Sequence, residues 1–256
     1  MAWFKDFYES DYFKYYDEPR LHDVPAQEVA FILAQGGLDL CSPRRARVFD
    51  ICCGTGRHAR PLAAKGCEVI GVDLSAVSIQ AARQQAQAQG LGERCRFHQG
   101  DIRDFDPPGE CDLAINIFTS FGYFDSDQED AVILAKAAQS LRPGGRFILD
   151  VANREAVIAG LHPRHRQGPR GNYVIEDSHL DLSAGRLISH WTFVRGKHRA
   201  EHTISIRLYA LHELIALVSA AGLRYLAAFG AFDGEPYSPR TPRCILVAEK
   251  DRTKER

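Results

Sequence analysis

The sequence predicts an α/β fold with a doubly wound, mostly parallel sheet of seven strands. From Arg45 to about Val151, short apolar runs alternate with helical stretches, and this rhythm is typical of right-handed βαβ units. The alternation stops between Val151 and Tyr209, which indicates an antiparallel β insertion after the fifth strand. It resumes with one helix and two apolar runs that have no helix between them. We therefore expect an antiparallel pair of strands at one edge of the sheet.

The first 40 residues are predicted to form a helical cover. Aromatic residues crowd positions 3–16, partly at the fourfold spacing of one helix face. Asp23 and Pro25 provide a helix start before Val29, and Gly36-Gly37 ends that second segment. Two leading helices are expected.

The seven strands follow from seven apolar runs. They are ARVFDIC, EVIGVD, RCRFHQGD, CDLAINIF, RFILDV, RYLAAF and RCILVAE. A helix from about Asp127 has one apolar face and stops at Pro143-Gly144-Gly145, so we expect the fifth strand directly after that turn. A further helix, closed by Gly222, precedes the last two strands.

The insertion is predicted to be an antiparallel lid. Three strands, NYVIEDSHLDL, RLISHWTFV and EHTISIRLY, are joined by Ser-Ala-Gly and Gly-Lys turns. We interpret the basic stretch at its entry as a solvated loop, with guidance of an anionic acceptor as the alternative. That stretch consists of His162, Arg164, His165, Arg166 and Arg170. The predicted domains are a cover of residues 1–40, a Rossmann-like domain of 41–152 and 209–250, and a lid of 153–208.

Composition favours a small substrate over nucleic acid as the partner. The 256 residues are 45% hydrophobic and 25% charged, as in ordinary folded proteins, and the net charge is −1. A grip on long nucleic acid needs a basic excess. No run approaches the roughly 20 apolar residues of a membrane helix, and acids stand where a signal peptide would be apolar, so we expect a cytoplasmic protein. Seven cysteines without a CxxC spacing make zinc and disulfides unexpected, and the site should need no metal.

The first strand enters a glycine-rich turn, VFDICCGTGRHA, that opens a helix. Gly54 and Gly56 lack side chains, so the backbone can turn sharply and a ligand can approach the N–H groups at the helix start. Two alternatives stand beside this interpretation. The glycines are also suited to close packing of strand and helix, and Gly54 to Ala59 fits the dinucleotide pattern GxGxxA.

Acids stand at the ends of three successive strands, at Asp50, Asp73 and Asp101. Asp73 is suited to accept hydrogen bonds from both ribose hydroxyls of a nucleoside. Asp101 is suited to the adenine amino group, with Ile102 against the ring. Each acid has a structural alternative, since Asp73 can cap the helix that begins at Ser75 and Asp101 can cap its own loop. Together they lie where open α/β sheets bind ligands.

The motifs CCGTGRH, GVDLS, GDIRDF, FTSFGYF and LRPGGRFILD occur in this order. With them, the chain from about Tyr12 to Lys250 resembles the class I S-adenosylmethionine-dependent methyltransferases, in particular the small-molecule branch. The resemblance implies strand order 3-2-1-4-5-7-6, S-adenosylmethionine as the cofactor, and in-line transfer of a methyl group to N or O of a small acceptor. The alternatives are a nicotinamide-dependent oxidoreductase, a tRNA or protein methyltransferase, and a non-catalytic sensor that binds the cofactor. The oligomeric state stays open.

By position, the resemblance implies contacts with the methionine portion from the glycine turn, and contacts with ribose and adenine from the next two strand ends. One departure is Cys52, which stands where the family usually has Gly. The predicted cofactor-binding residues are Asp50, Cys52, Gly54, Gly56, Arg57, Asp73, Leu74, Asp101, Ile102, Asn116 and Phe118.

Three residues are candidates for contact with the acceptor or for catalysis. Tyr123 belongs to an aromatic loop after the fourth strand, where ring faces suit a sulfonium. The resemblance implies that an early tyrosine closes over the cofactor, and among Tyr12, Tyr15 and Tyr16 we name Tyr16, with simple packing as the alternative. His190 lies with His202 and Arg207 in the lid strands, where a histidine facing the cleft would be the natural base. The period of two leaves open which of them faces the cleft.

Overall fold

The computed structural model describes residues 3–7, 26–161, 164–167 and 173–252. Tyr16, Asp23, Pro25, His162 and Arg170 lie outside these residues. The helices are α1 Trp3–Asp6, α2 Ala26–Gln35, α3 Ala59–Ala64, α4 Ala76–Ala88, α5 Asp127–Ser140, α6 Arg154–Ala159 and α7 Leu211–Ala220. The strands are β1 Arg47–Ile51, β2 Glu68–Asp73, β3 Cys95–Gln99, β4 Cys111–Asn116, β5 Leu141–Ala152, β6 Arg164–Gln167, β7 Tyr173–Asp181, β8 Arg186–Arg195, β9 His198–Arg207, β10 Leu223–Phe229 and β11 Arg243–Lys250.

The main sheet has the order β3-β2-β1-β4-β5-β11-β10. Strands β1 to β5 are parallel, whereas β11 runs antiparallel to both β5 and β10. Numbered without the insertion, this is 3-2-1-4-5-7-6, so the predicted fold class is confirmed. Two apolar clusters cover the two faces of the sheet, which explains why β1 and β4 are almost continuously apolar.

The helices begin where the sequence offers side-chain caps. The hydroxyl oxygen of Ser75 accepts a hydrogen bond from Ser78 N at the start of α4, and that of Ser126 accepts one from Glu129 N at the start of α5. The boundary between α5 and β5 was predicted too late. The strand begins at Leu141, which pairs with Cys111 of β4, so the Pro-Gly-Gly turn lies inside the strand's span.

The insertion forms a second, antiparallel sheet with the order β6-β7-β8-β9. The three predicted strands are present as β7, β8 and β9. The interpretation of the basic stretch as a loop was wrong for residues 164–167, which form β6. They pair with the edge of β7 in register from Arg164↔Glu176 to Gln167↔Tyr173, because an open strand edge offers unpaired backbone groups.

A short helix, α6, was also missed at the entry to the insertion. The Asn153 side-chain oxygen accepts a hydrogen bond from Glu155 N and caps this helix. None of the helices in the described part of the chain is long and apolar enough to cross a bilayer.

Candidate active site

A cleft of about 1290 Å³, counted with its open mouth, lies at the carboxyl ends of β1 to β4. It brings together most of the residues that the sequence singles out. Those lining it are Asp50, Cys52, Gly54, Arg57, Asp73, Leu74, Asp101, Ile102, Phe118 and Tyr123. Gly56, Asn116 and His190 are not among the residues that line it.

The two glycines of the turn serve different purposes. Gly54 has φ +55°, and a Cβ built on it would meet nothing within 4 Å, so its bare side leaves room in the cleft. Gly56 has φ +71°, and a Cβ there would come within 2.7 Å of the Phe97 ring. The packing alternative thus describes Gly56, whereas Gly54 keeps the cleft open.

Cys52 adopts the left-handed backbone conformation, with φ 58°. This conformation favours glycine, which gives a physical reason for the family's usual Gly. Asn116, predicted as a cofactor contact, is fully buried instead. Its amide nitrogen donates to Ile51 O at 2.9 Å and ties β4 to the end of β1 just before Cys52. Asn116 therefore braces the turn from below the cleft.

The Asp73 carboxylate holds the glycine turn in place. Gly54 N donates to Oδ2 at 2.8 Å, and Ser75 N donates to Oδ1 at 2.9 Å. The capping alternative from the sequence is therefore present, while Asp73 also lines the cleft. Burial raises the pKa of this carboxyl, although hydrogen bonds from backbone N–H groups oppose the shift.

Asp50 is a buried acid of the cleft, and its carboxyl group has few partners among the described residues. The residue is 3% exposed, and within the described part of the chain its Oδ2 has no hydrogen-bond partner. Burial, and then the charge of Asp73, raises the pKa of Asp50 to about 8. A cationic ligand in the cleft would favour the charged form of this carboxyl, so the residues present fit a positively charged cofactor.

Asp101, just after β3, forms a bidentate ion pair with the guanidinium of Arg103. Arg103 Nε donates to Asp101 Oδ1 at 3.0 Å and Nη2 donates to Oδ2 at 2.7 Å. The remaining nitrogen, Nη1, donates to Glu129 at 2.8 Å in the first turn of α5. The guanidinium also lies 4.5 Å from the centre of the Phe124 ring. Sequence reasoning missed Arg103, although it stands within the quoted motif GDIRDF.

The loop after β4 has an unusual backbone. Phe118 and Thr119 both have positive φ, 68° and 58°, which is costly for residues with a side chain. The carboxylate of Asp150, fully buried, accepts a hydrogen bond from Phe118 N at 2.8 Å, and its backbone oxygen accepts one from Thr119 N at 2.9 Å. Arg243 donates to both oxygens of that carboxylate, at 2.7 and 2.6 Å.

The Phe118 ring already lies against guanidinium groups of the protein. Arg57 stands 4.5 Å from its centroid and Arg243 stands 5.9 Å from it. Arg57 in turn pairs with Glu28 of α2 at 3.1 Å, as does Nε2 of His58 at 3.0 Å. The pKa of His58 is lowered by burial. His58 lines the cleft and was also missed, because a histidine after GxGR has no distinctive signal by itself.

Aromatic side chains form the wall beside Tyr123. Trp3 and Phe4 of α1 lie 5.1 and 6.4 Å from the Tyr123 ring, centroid to centroid. The next aromatic residue, Phe7, contacts the second sheet, 5.7 Å from Trp191. The start of the chain thus bridges the loop after β4 and the inner face of the second sheet.

His190 does not face the cleft. It is exposed on the opposite face of β8 from the buried Ser189 and Phe193, because side chains alternate along a strand. Its Nδ1 lies 3.1 Å from Thr203 Oγ1. The hypothesis that His190 acts as a base is therefore withdrawn, and Tyr16 lies outside the described residues.

Comparisons with known proteins agree with this geometry. Residues 48–145 match the family model described as a methyltransferase domain. The chain is 27% identical over 206 residues to the cypemycin N-terminal methyltransferase of a Streptomyces species, covering 79% of this chain and 82% of that protein. It is 28% identical over 189 residues to the dTDP-3-amino-3,4,6-trideoxy-α-D-glucopyranose N,N-dimethyltransferase of Streptomyces venezuelae, covering 72% and 77%. The CcbJ methyltransferase structure from Streptomyces caelestis shares the fold, with a TM-score of 0.77 at 21% identity over 89% of this chain and 97% of that one.

The matched segment contains β1 to the start of β5, with the glycine turn and the acidic strand ends. The antiparallel position of β11 between β5 and β10 completes the sheet that the resemblance implies. Together with the acidic cleft, these findings support the resemblance: residues 48–145 carry a methyltransferase domain, and the chain is an enzyme that uses S-adenosylmethionine.

Proposed function

We propose that this enzyme transfers the methyl group of S-adenosylmethionine to a nitrogen or oxygen atom of a small-molecule acceptor by in-line displacement. The observation that carries the proposal is the cleft itself. Acids from three neighbouring strand ends converge there, and burial raises the pKa of two of them, Asp50 and Asp73. Such a cleft favours a cationic nucleoside over an anionic one.

The cofactor site divides along the cleft. We assign Asp73 and Leu74 to the ribose and adenine, Asp101 and Ile102 to the adenine, and the turn around Gly54 to the methionine portion. Because Gly54 N and Ser75 N donate hydrogen bonds to the Asp73 carboxylate, the orientation of this carboxylate is fixed before the ligand binds. The side chain therefore loses little conformational freedom on binding.

When bound, the cofactor supplies a methyl group on a positively charged sulfur. The contribution of the chain is alignment and exclusion of water. Phe4, Tyr123 and Phe124 form the apolar side of the cleft, and we assign this side to the acceptor. We propose Tyr123 as an acceptor contact, since it carries a hydroxyl group within this wall.

Nitrogen is the favoured acceptor atom. The two relatives named above are an N-terminal methyltransferase and an N,N-dimethyltransferase of an amino sugar. The net charge of −1 in this chain agrees with a small acceptor.

Isothermal titration with S-adenosylhomocysteine and with NADH tests the cofactor assignment. We expect the wild type to bind S-adenosylhomocysteine and not NADH. Asp73→Asn should weaken that binding at least tenfold, since charge-assisted hydrogen bonds are lost. Asp106→Asn, which changes an exposed acid, should leave it unchanged. Binding of NADH without S-adenosylhomocysteine would overturn the proposal.

Transfer from S-adenosylmethionine with a labelled methyl group tests the acceptor assignment. The panel should contain amino sugars, peptides with a free N-terminus, and matched hydroxyl compounds. We expect label on amines. Transfer to none of these classes by an enzyme that binds S-adenosylhomocysteine would contradict the acceptor assignment and leave the cofactor site standing.

A further inference from the structure

We propose that Arg103 sets the purine specificity of the cofactor site by fixing Asp101 as an ionised, acceptor-only carboxylate. This inference rests on the proposed function, because it assigns Asp101 to adenine. Arg103 is a positioning residue in this account, since it acts through Asp101.

The geometry is a two-pronged pair. Arg103 Nε donates to Asp101 Oδ1 at 3.0 Å and Nη2 donates to Oδ2 at 2.7 Å, so both carboxylate oxygens are held by the one guanidinium. A bidentate pair of this kind fixes orientation as well as charge. The backbone N–H of Arg103 also donates to Asp101 Oδ1 at 3.1 Å. That backbone bond is the loop cap expected from the sequence. The guanidinium bonds additionally fix the orientation of the carboxylate.

Arg103 is itself held from two further sides. Nη1 donates to Glu129 Oε1 at 2.8 Å, and the guanidinium lies 4.5 Å from the centre of the Phe124 ring. Hydrogen bonding to Asp101, together with Glu129, raises the pKa of Arg103. With α5 and the aromatic loop as supports, the side chain has little freedom to leave Asp101.

The consequence concerns the group at position 6 of the purine. An ionised carboxylate accepts hydrogen bonds and cannot donate them. It can therefore pair with the amino group of adenine, whereas the 6-oxo group of hypoxanthine would place two acceptors face to face. Rejection by an unpaired polar group in a site is worth roughly tenfold to a hundredfold in affinity.

Without Arg103, the Asp101 carboxylate would no longer distinguish an amino group from an oxo group at position 6. The guanidinium would no longer fix its orientation, and the carboxylate could turn away from position 6 of the purine. A carboxylate that is free to rotate neither accepts from an amino group in a fixed direction nor holds its oxygens against a 6-oxo group. Removal of Arg103 should thus reduce the difference in affinity between the ligand that carries adenine and the one that carries hypoxanthine.

The experiment compares S-adenosylhomocysteine with its 6-oxo counterpart, S-inosylhomocysteine, by isothermal titration. We expect the wild type to prefer the adenine compound by at least about tenfold, and Arg103→Met to reduce that preference to about threefold or less. Arg103→Lys keeps the positive charge but cannot form the bidentate pair, so its preference for the adenine compound should lie between those of the wild type and Arg103→Met. Arg96→Met is the matched control, since it removes an exposed arginine of β3, and should keep the wild-type preference.

The ratio of the two affinities separates positioning from general damage. If Arg103→Met weakened both compounds by the same factor, Arg103 would be merely structural and the inference would be overturned. Should Arg103→Met fail to fold, an unchanged ratio in Arg103→Lys would overturn it equally. A wild type that binds both compounds alike refutes the inference alone, whereas one that binds neither refutes the proposed function.

Discussion

At the scale of single residues, the glycine turn shows how backbone conformation limits side chains at the site. Gly54 and Cys52 both have φ near +55 to +58°, but Cys52 carries a Cβ. A left-handed conformation costs a residue with a side chain about 1–2 kcal/mol. The turn tolerates this cost while Asn116 and Asp73 hold the adjacent backbone.

Cys52→Gly should be more stable than Cys52→Ala by about 1 kcal/mol. Both changes remove the thiol, but alanine keeps the Cβ at φ 58° and glycine does not. Urea unfolding of the two variants measures the difference directly. Equal free energies of unfolding would show that the turn carries no backbone strain at this position.

At the scale of elements, the loop after β4 depends on a charge pair between neighbouring strands that lie far apart in the sequence. Asp150 of β5 is fully buried and holds the backbone of Phe118 and Thr119, while Arg243 of β11 neutralises it. A buried carboxylate that loses its partner costs about 3–5 kcal/mol. The strained loop at the mouth of the cleft is thus stabilised from the far edge of the parallel strands.

Arg243→Gln should lower the free energy of unfolding by about 3 kcal/mol, because it leaves the Asp150 carboxylate buried without its counter-charge. Arg224→Gln is the matched control. Arg224 pairs with Glu249 on the neighbouring strand but is 58% exposed, so its loss should cost less than about 1 kcal/mol. Similar losses in the two variants, measured in urea, would show that the buried pair does not stabilise the fold as described.

The same loop marks how far sequence reasoning reaches. Strand order and the acidic strand ends follow from local patterns, since apolar runs and glycine turns act over a few residues. The support of Phe118 could not be predicted in this way, because Arg243 stands 93 residues from Asp150 and neither Phe118 nor Thr119 is a glycine. His190 was misplaced for a related reason, since alternation along a strand does not say which face is inward. Strand β6 was missed because its four residues, 164–167, are polar.

At the scale of the whole molecule, the second sheet joins the methyltransferase domain through buried polar contacts. The Tyr209 hydroxyl, just after β9, lies 2.9 Å from Asp127 Oδ1 and 2.8 Å from Asp130 Oδ2 in α5, and it can donate its one hydrogen to either carboxylate. Asp130 in turn accepts a hydrogen bond from Phe124 N at 3.2 Å, beside the acceptor side of the cleft. The division into lid, cover and core stays a prediction, and this junction is where a lid would act on the acceptor loop.

Tyr209→Phe should destabilise the protein more at pH 8 than at pH 5. Burial raises the pKa of Asp130 to about 6, above its ordinary value of 3.8, so the stability that this group contributes is lost as the pH rises through 6. The hydroxyl of Tyr209 opposes this shift by stabilising the charged form. Its removal should cost about 1.5–3 kcal/mol at pH 8, where the carboxyl is charged, and less at pH 5.

Unfolding in urea at the two pH values measures this dependence. Tyr173→Phe serves as the control, because Tyr173 is 49% exposed and the loss of its hydroxyl should cost little at either pH. An equal loss at pH 5 and pH 8 in Tyr209→Phe would contradict the role given to Asp130.

The acidic cleft makes the most direct prediction for the whole account. With a pKa of about 8 in the free protein, Asp50 is mostly protonated at pH 7. A cationic ligand stabilises the charged form, lowers that pKa and expels the proton. Titration of S-adenosylmethionine at pH 7 in buffers of different ionisation enthalpy counts the protons released. The account predicts that the wild type releases close to one proton more than Asp50→Asn, whereas equal release by the two proteins would contradict it.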